Sequence, residues 1–343
     1  MNEIAVPLKV GPVEVRNRIF LAPMSGVSDL PFRKRAFEHG AGLVVSEMVA
    51  SEELCKARAE SRMRASNGGL PIHMLQLAGR EAKWMAEAAR IAEGEGADII
   101  DINMGCPAKK VTGGYSGSAL MRDLDHAQAL IDATVGAVSV PVTLKMRLGW
   151  DEHTINAPEL AKRAEDAGVR MITIHGRTRA QLYNGRADWR RVADVRDVVS
   201  IPLVVNGDIG CLADARRALA LSGADAVMIG RAAYGQPWLP GEIAREAGFS
   251  GAGCIAAPGR DDMAAYVTNH YEDMLSQYGA ETGTRHARKH LGWYLDRHAP
   301  ISRDMSAIRK QIMTSNRSEE VIRLISVVLC ETSNETVLPA EAA

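Results

Sequence analysis

The chain alternates between two arrangements of apolar and polar positions. Short, nearly unbroken apolar runs stand at RIFLAP (18–23), GLVVS (42–46), PIHMLQ (71–76), ADIIDI (97–102), PVTLKM (141–146), RMITIH (170–175), IPLVVN (201–206) and DAVMIG (225–230). Each is short for a helix and lacks the alternation of a half-exposed strand, so each predicts a strand covered on both faces. Between them apolar residues recur at helical spacing. At HGAGLVV (39–45), EGADII (95–100), AGVRMITI (167–174) and SGADAVMI (222–229) a glycine ends a helix just before the next run begins. Eight strands alternating with helices predict an α/β fold with a parallel sheet, and eight is the number that closes a (β/α)8 TIM barrel. An open doubly wound sheet is the alternative, and the lack of a GxGxxG turn speaks against it.

After Arg245 the pattern changes. EAGFSGAGCIAAPG (246–259) is rich in Gly, Ala and Pro and reads as a linker. Helical spacing then continues without further strands through MAAYVTNHYEDMLSQYG, GTRHARKHLGWYLDRHA, SAIRKQIM and EEVIRLISVVL. The predicted partition is a barrel over 1–245, a linker over 246–259, a small C-terminal helical domain over 260–335 and a frayed tail over 336–343.

The length of 343 residues suits this partition, since such barrels commonly take about 250. Lysine and arginine number 41 against 42 aspartates and glutamates, a net charge of −1. No global basic footprint marks a nucleic-acid or membrane partner, so any such footprint must be local. One is present: residues 285–310 hold Arg285, Arg288, Lys289, Arg297, Arg303, Arg309 and Lys310 against Asp296 and Asp304, an excess of five positive charges. The start has no charged segment leading into an apolar core, and no run of 18 apolar residues occurs. The expectation is a cytoplasmic protein that meets no membrane. The five cysteines are widely spaced without any CxxC pair, which argues against a disulfide framework and a zinc site and fits a reducing compartment.

In a barrel the chemistry sits where the strands end. In order, those ends present Pro23-Met24-Ser25, Glu47, Gln76, Asn103 with Cys106, Lys145 with Arg147, His175 with Arg177, Asn206-Gly207-Asp208, and Gly230-Arg231. Any one polar strand end is ordinary, but Lys145 and His175 directly follow runs that should be buried. NGDIG after the seventh strand and IGRAA after the eighth stand in the two loops that hold phosphate in many barrels, where backbone N–H groups and a helix start cradle an anion. The stretch NMGCPAKKV (103–111) places a lone cysteine in the turn after the fourth strand, ahead of Lys109 and Lys110. A free cysteine is usually a small core residue; here it stands where a ligand can meet it. HARKH (286–290) sets two histidines at i and i+4, formally a metal pair. The surrounding Arg285, Arg288 and Lys289 repel a cation, so no metal is expected.

Taken together, APMSGVSDLPFR (22–33), GLVVSEM (42–48), DINMGCPAKKV (101–111), VTLKMRLGW (142–150), ITIHGRT (172–178), VVNGDI (204–209) and MIGRAA (228–233) resemble the tRNA-dihydrouridine synthases, most of all their bacterial B-type branch. The resemblance spans the barrel from about Val10 to Trp238 and continues more loosely through the helical part. It implies an oxidoreductase that uses FMN to reduce a uridine of tRNA to 5,6-dihydrouridine, with NADPH reducing the flavin. By matching positions it assigns FMN to Pro23, Met24, Ser25, Gln76, Lys145, Asn206, Gly207, Asp208, Gly230 and Arg231. It assigns the flavin and uridine pocket to Asn103, His175 and Arg177, and the proton donor to Cys106. The chemistry is coherent: a hydride goes to C6, a proton must reach C5 from an acid on the other face, and a thiol near pKa ~8.5 keeps its proton at neutral pH. Lys109 and Lys110 can meet a phosphate beside the target nucleotide, and the basic face of Arg285, Arg288 and Lys289 makes the helical domain the expected tRNA-binding part. After AKKV the stretch TGGYSGSAL (112–120) reads as a flexible loop of low charge. Other readings are an FMN barrel acting on a free small molecule, which leaves the helical part unexplained, and a non-enzymatic RNA-binding regulator, which has no need of Lys145, His175 and Cys106 together. The favoured oligomeric state is a monomer.

Overall fold

The computed structural model describes residues 3–251, 253–299 and 306–330, without the side chains of Glu3 and Lys110. Arg303, Asp304 and the predicted tail at 336–343 lie outside the described residues. The chain forms two compact units, Met1–Ala233 with Trp238–Ile255, and Tyr234–Pro237 with Ala256–Ala343.

The first unit opens with an antiparallel hairpin, β1 (Leu8–Val10) and β2 (Val13–Val15), which sequence reading did not anticipate. Gly11 makes its turn at φ +58. The barrel strands follow as β3 (Ile19–Leu21), β4 (Leu43–Val44), β5 (Val49–Ala50), β6 (Met74–Ala78), β7 (Ile99–Met104), β8 (Val142–Arg147), β9 (Met171–His175), β10 (Leu203–Asn206) and β11 (Ala226–Ile229). They form one parallel sheet in the order β4-β3-β11-β10-β9-β8-β7-β6-β5, and a parallel bridge between Val45 and Met74 joins its two ends. The eight predicted runs are all present. The second run differs in one respect: after Val45 the chain leaves the sheet at Ser46 and returns as β5, which pairs with the end of β6. The Ser46 hydroxyl supplies the reason, because it accepts the Gln76 N–H at 2.9 Å in place of a ladder carbonyl.

Helices cover the outside: α1 (Leu30–Glu38), α2 (Ser51–Cys55), α3 (Ala59–Ala65), α4 (Ala82–Gly94), α5 (Lys109–Thr112), α6 (Leu124–Val135), α7 (Ala157–Asp166), α8 (Arg190–Arg196), α9 (Leu212–Ser222) and α10 (Leu239–Glu246). Their ends follow local chemistry. The Asp29 carboxylate accepts the Phe32 N–H at the start of α1, and Gly223 ends α9 in the left-handed region at φ +63.

Period two decides what the barrel interior contains. At its lower end Phe20, Leu43, Val45, Met74, Ile99, Met171, Val204, Ala226 and Met228 pack in one cluster with Leu8, Val10 and Val15 of the hairpin, which thereby plugs that end. Two and four residues further along, the same inward face carries Gln76, Asp101, Asn103, Thr143, Lys145, Arg147, Thr173, His175 and Asn206. The interior passes from apolar to polar toward the C-terminal mouth.

Of the residues read as a linker, 246–255 belong to the first unit. The Ile255 N–H donates to Glu38 O at 3.0 Å, Arg245 Nη2 donates to Ile255 O at 2.9 Å, and Arg16 reaches Cys254 Sγ at 3.5 Å, so backbone and side-chain bonds hold a stretch that composition alone marks as loose. Among the described residues the second unit contains four helices, α11 (Met263–Tyr278), α12 (Ala280–His298), α13 (Ser306–Thr314) and α14 (Ser318–Cys330). Its core is built from Val267, Tyr271, Met274, Leu291, Tyr294, Val321 and Ile325, all buried. No helix of the described residues is long and apolar enough to cross a membrane.

Candidate active site

A chain of hydrogen bonds runs through the polar layer toward Cys106. The Thr143 hydroxyl donates to Asp101 Oδ1 at 2.6 Å and Gln76 Nε2 to Asp101 Oδ2 at 2.6 Å. Gln76 Oε1 then accepts from Asn103 Nδ2 at 2.6 Å, which turns Asn103 Oδ1 toward the Gly105 and Cys106 N–H groups at 3.2 and 3.0 Å. A carboxylate can only accept, so Asp101 sets the direction of every amide after it. Sequence reading missed Asp101 and Thr143. The available signal was that two polar residues interrupt runs otherwise reserved for apolar ones, on the inward parity of IIDINM and VTLKMR. Burial pushes the Asp101 carboxyl up to about 6, against the pull of Thr143, Gln76 and Lys145.

Cys106 is half-buried in the turn after β7, and Lys109 beyond it is exposed. The Lys110 side chain lies outside the described residues. The stretch 112–120, expected to be loose, folds back on the cysteine: the Ser118 N–H and hydroxyl donate to Cys106 O at 3.1 and 2.9 Å. Gly117 makes this possible. It sits at φ +59, and a Cβ there would lie 2.8 Å from Cys106 O and from Val111 Cγ1.

Across the mouth stands a group of cations. Lys145 Nζ donates to Asn206 Oδ1 at 3.1 Å, and Asn206 Nδ2 donates to Met228 O at 2.8 Å, so Asn206 orients the ammonium. Burial lowers the Lys145 pKa to about 8, opposed by Asp101. Arg147 donates to Gly105 O at 2.9 Å and to Thr178 O and Leu182 O at 2.8 Å each, bracing the cysteine turn; burial lowers it to about 10, which leaves it charged. His175 is held well below the ordinary histidine value, first by burial and then by Arg147, Lys145, Arg177 and Arg231, so it is neutral at pH 7. Arginine has no acceptor, so the 3.3 Å contact from Arg177 Nη1 makes His175 Nε2 the acceptor and leaves the proton on Nδ1. The Tyr183 ring is half-exposed beside this group, with Arg231 4.6 Å and Arg147 5.5 Å from its centroid.

The two glycine loops meet the end of β3. A Cβ on Gly230 would find nothing nearer than Met24 Sδ at 3.8 Å and Ala22 Cβ at 3.9 Å, so the space over the loop is open. Gly207 is at φ +118, and a Cβ there would lie 2.7 Å from Ala187 Cβ. Met24 borders the opening, Pro23 before it is half-buried and Ser25 is exposed. Open space over Gly230, beside Lys145, Arg231 and a neutral histidine, fits a phosphorylated ring that gains negative charge on reduction. Asp208 is turned differently from a cofactor contact. Its Oδ2 accepts from Arg177 Nη2 at 2.6 Å and from the Ala187 N–H at 2.7 Å, and its Oδ1 lies 3.6 Å from Arg231. Arg177, expected to line the uridine pocket, is buried: its guanidinium also donates to Asn184 O at 3.1 Å and Gly185 O at 2.7 Å. It braces its own loop and His175 instead of facing the mouth.

A family model described as Dihydrouridine synthase (Dus) matches residues 20–329. The chain belongs to the dihydrouridine synthase family. Curated relatives agree with that membership. A probable tRNA-dihydrouridine synthase of Rhizobium leguminosarum is 59% identical over 310 residues, 90% of this chain and 94% of its own length. One from Rhodobacter capsulatus is 57% identical over 84% of this chain and 89% of its own. The tRNA-dihydrouridine synthase B of Escherichia coli is 45% identical over 85% and 91%. Among solved structures, TcOYE with pHBA gives a TM-score of 0.52 at 15% identity, covering 73% of this chain and 94% of that one. The old yellow enzyme homologue of Zymomonas mobilis gives 0.51 at 16%, covering 74% and 97%. At these identities the likeness concerns the barrel fold alone.

In the helical unit of this family member the predicted basic residues separate. Arg288 Nη2 donates to Asn316 Oδ1 at 2.8 Å and to the Thr314 and Ser315 carbonyls at 3.3 and 3.4 Å, so it closes the end of α13. Arg309 pairs with Asp296 at 2.6 Å. Arg285 is exposed, and its 3.7 Å contact with Glu281 on the same helix face is a loose surface pair. His286 stacks on Tyr278 with ring centroids 4.6 Å apart, while His290 lies edge-on to His270 and Trp293. Among the described residues no group of three or more His, Cys, Asp or Glu could hold a metal ion.

Proposed function

We propose that this dihydrouridine synthase holds FMN at the barrel mouth and reduces uridine in tRNA to 5,6-dihydrouridine, with NADPH as the source of reducing equivalents and Cys106 as the proton donor. One observation carries the reading: a half-buried cysteine, its backbone N–H held by Asn103, shares the mouth with a pocket of cations and the open space over Gly230. In this reading the loops at Gly207 and Gly230 with Arg231 hold the phosphate, Pro23, Met24 and Ser25 border the ring, and Gln76 has one amide proton left for it beyond the bond to Asp101. FMN, when bound, supplies the hydride for C6 of the uracil. Lys145 stands ready to offset negative charge on the ring, and neutral His175 offers its Nδ1 proton. Asn206 and Asp208 serve this set indirectly, by holding Lys145 and the arginines. Cys106 transfers its proton as charge develops at C5, while the Asn103 and Ser118 bonds fix its turn. Asn103 and Lys109 border the incoming nucleotide, with Lys110 next in the chain. Arg285 and Lys289 of the helical unit take backbone phosphates, and the enzyme works in the cytoplasm.

Two measurements test this. Flavin released from the purified protein on denaturation should run as FMN; FAD, or no flavin after reconstitution, overturns the cofactor site. Cells lacking the gene should lose dihydrouridine from defined tRNA positions and regain it on complementation. An unchanged dihydrouridine map overturns the substrate.

A further inference from the structure

We propose that Arg122, Trp150 and Arg179 form a phosphate clamp on the catalytic face of the barrel, built to take the RNA backbone beside the target nucleotide. The inference rests on the tRNA reading above and adds a contact surface to it. The guanidinium carbons of Arg122 and Arg179 lie 4.9 and 4.7 Å from the centroid of the Trp150 ring. The three residues come from the loops after β7, β8 and β9, three neighbouring strands, at the end of the barrel where Cys106 stands.

These loops are tied together. The Arg179 N–H donates to Gly149 O at 3.0 Å, the Ala180 N–H to Trp150 O at 2.8 Å, and Asn156 Nδ2 to Met121 O at 2.7 Å. The segment that ends at Arg122 also carries Ser118, which bonds Cys106 O, so the clamp and the cysteine turn share one support.

Two like charges are therefore collected on one ring, and the nearby carboxylates are engaged elsewhere. Asp123 accepts the His126 N–H at 3.0 Å, Asp151 accepts the His153 N–H at 3.0 Å and the Thr154 hydroxyl at 2.9 Å, and Glu152 pairs with Arg191 at 2.6 Å. Among the described residues neither Arg122 nor Arg179 has a carboxylate within ion-pair distance, and Arg179 Nε is buried without a hydrogen-bond partner. Stacking on Trp150 restrains both side chains, of which Arg122 is exposed and Arg179 half-buried with its Nε covered, so the terminal N–H groups of the planar forks are the ones offered to a ligand. That edge matches the two free oxygens of a phosphodiester, and guanidiniums addressing one ring stand close enough for neighbouring phosphates of one strand. A uridine swung out of a folded tRNA needs such a grip on its backbone, because unstacking must be offset by contacts outside the base.

The test measures tRNA affinity against salt for the purified full chain and for Arg122→Gln with Arg179→Gln. Each phosphate contact contributes roughly 0.7–0.9 to the slope of log affinity against log salt. From 50 to 200 mM salt the wild type should therefore lose about 7- to 12-fold more affinity than the double variant. Arg122→Lys with Arg179→Lys keeps the charges and should keep the slope. Should the double variant misfold, Arg122→Gln alone, at an exposed position, should show about half the change. Parallel lines from a folded variant refute the clamp and leave the tRNA reading intact, since the wild type still binds tRNA. A wild type with no salt-dependent tRNA binding refutes both.

Discussion

Lys145→Met should make the flavin-free protein more stable while weakening its hold on flavin. Lys145 is only 8% exposed, and burial lowers its pKa to about 8, against ~10.4 in an unfolded chain. Below pH 8 both states hold the proton and the folded state carries the full penalty. Between pH 8 and ~10.4 the unfolded chain still holds a proton that the folded state has released, so stability rises with pH across that window. That lowering amounts to about 3 kcal/mol at pH 7. Methionine has similar length and no charge. Its lack of the bond to Asn206 costs about 1–2 kcal/mol, the attraction to Asp101 being already contained in the penalty, which leaves a net gain of about 1–2 kcal/mol. Urea denaturation of both flavin-free proteins at pH 7 and pH 10 measures this, with flavin affinity read by fluorescence. The variant should have the higher midpoint at pH 7, the gap should close toward pH 10, and flavin affinity should fall at least about tenfold, as expected when one charge-assisted hydrogen bond is removed. A variant less stable than wild type by the same amount at both pH values would show that Lys145 carries no burial penalty.

Three further outcomes follow from the same site. Cys106→Ala should retain flavin and tRNA but lose about 100-fold or more in single-turnover reduction, the usual worth of a placed acid; full activity removes the cysteine from proton transfer. Asp101→Leu leaves the Gln76 and Thr143 donors buried without an acceptor, at about 1–3 kcal/mol each in chemical denaturation, whereas Asp101→Asn should be much milder because the Thr143 hydroxyl can turn and accept; equal losses in the two variants would refute the relay. Replacing Arg285 and Lys289 with glutamine should flatten the salt dependence of tRNA binding by roughly one unit for each phosphate released, while Arg288→Gln should lower the melting temperature and leave that slope alone, given its bonds to the end of α13.

The barrel was legible in the sequence because a strand buried on both faces has to be apolar along its length, and runs such as PVTLKM and RMITIH carry that constraint whatever surrounds them. The strand-end residues were legible for a related reason: a buried ammonium or imidazole has to be compensated, so Lys145 and His175 stand out against the apolar runs beside them. Partners were not legible, because a hydrogen bond between residues far apart in the chain depends on register. Register sets Gln76 against Asp101 and Asn103 against Lys145, and no local pattern near Asp101 announces Gln76. The same holds for Arg177 and Arg288, which look like ligand contacts as isolated cations and become braces once the carbonyls at 184 and 185, or at 314 and 315, are folded beside them. It holds also for the glycine-rich stretch after Cys106, loose by composition and folded in fact, because its serine reaches a carbonyl 12 residues away. Periodicity fixes which face a residue takes, and that much is local; what a buried polar group bonds to is decided by which strand lies next to it.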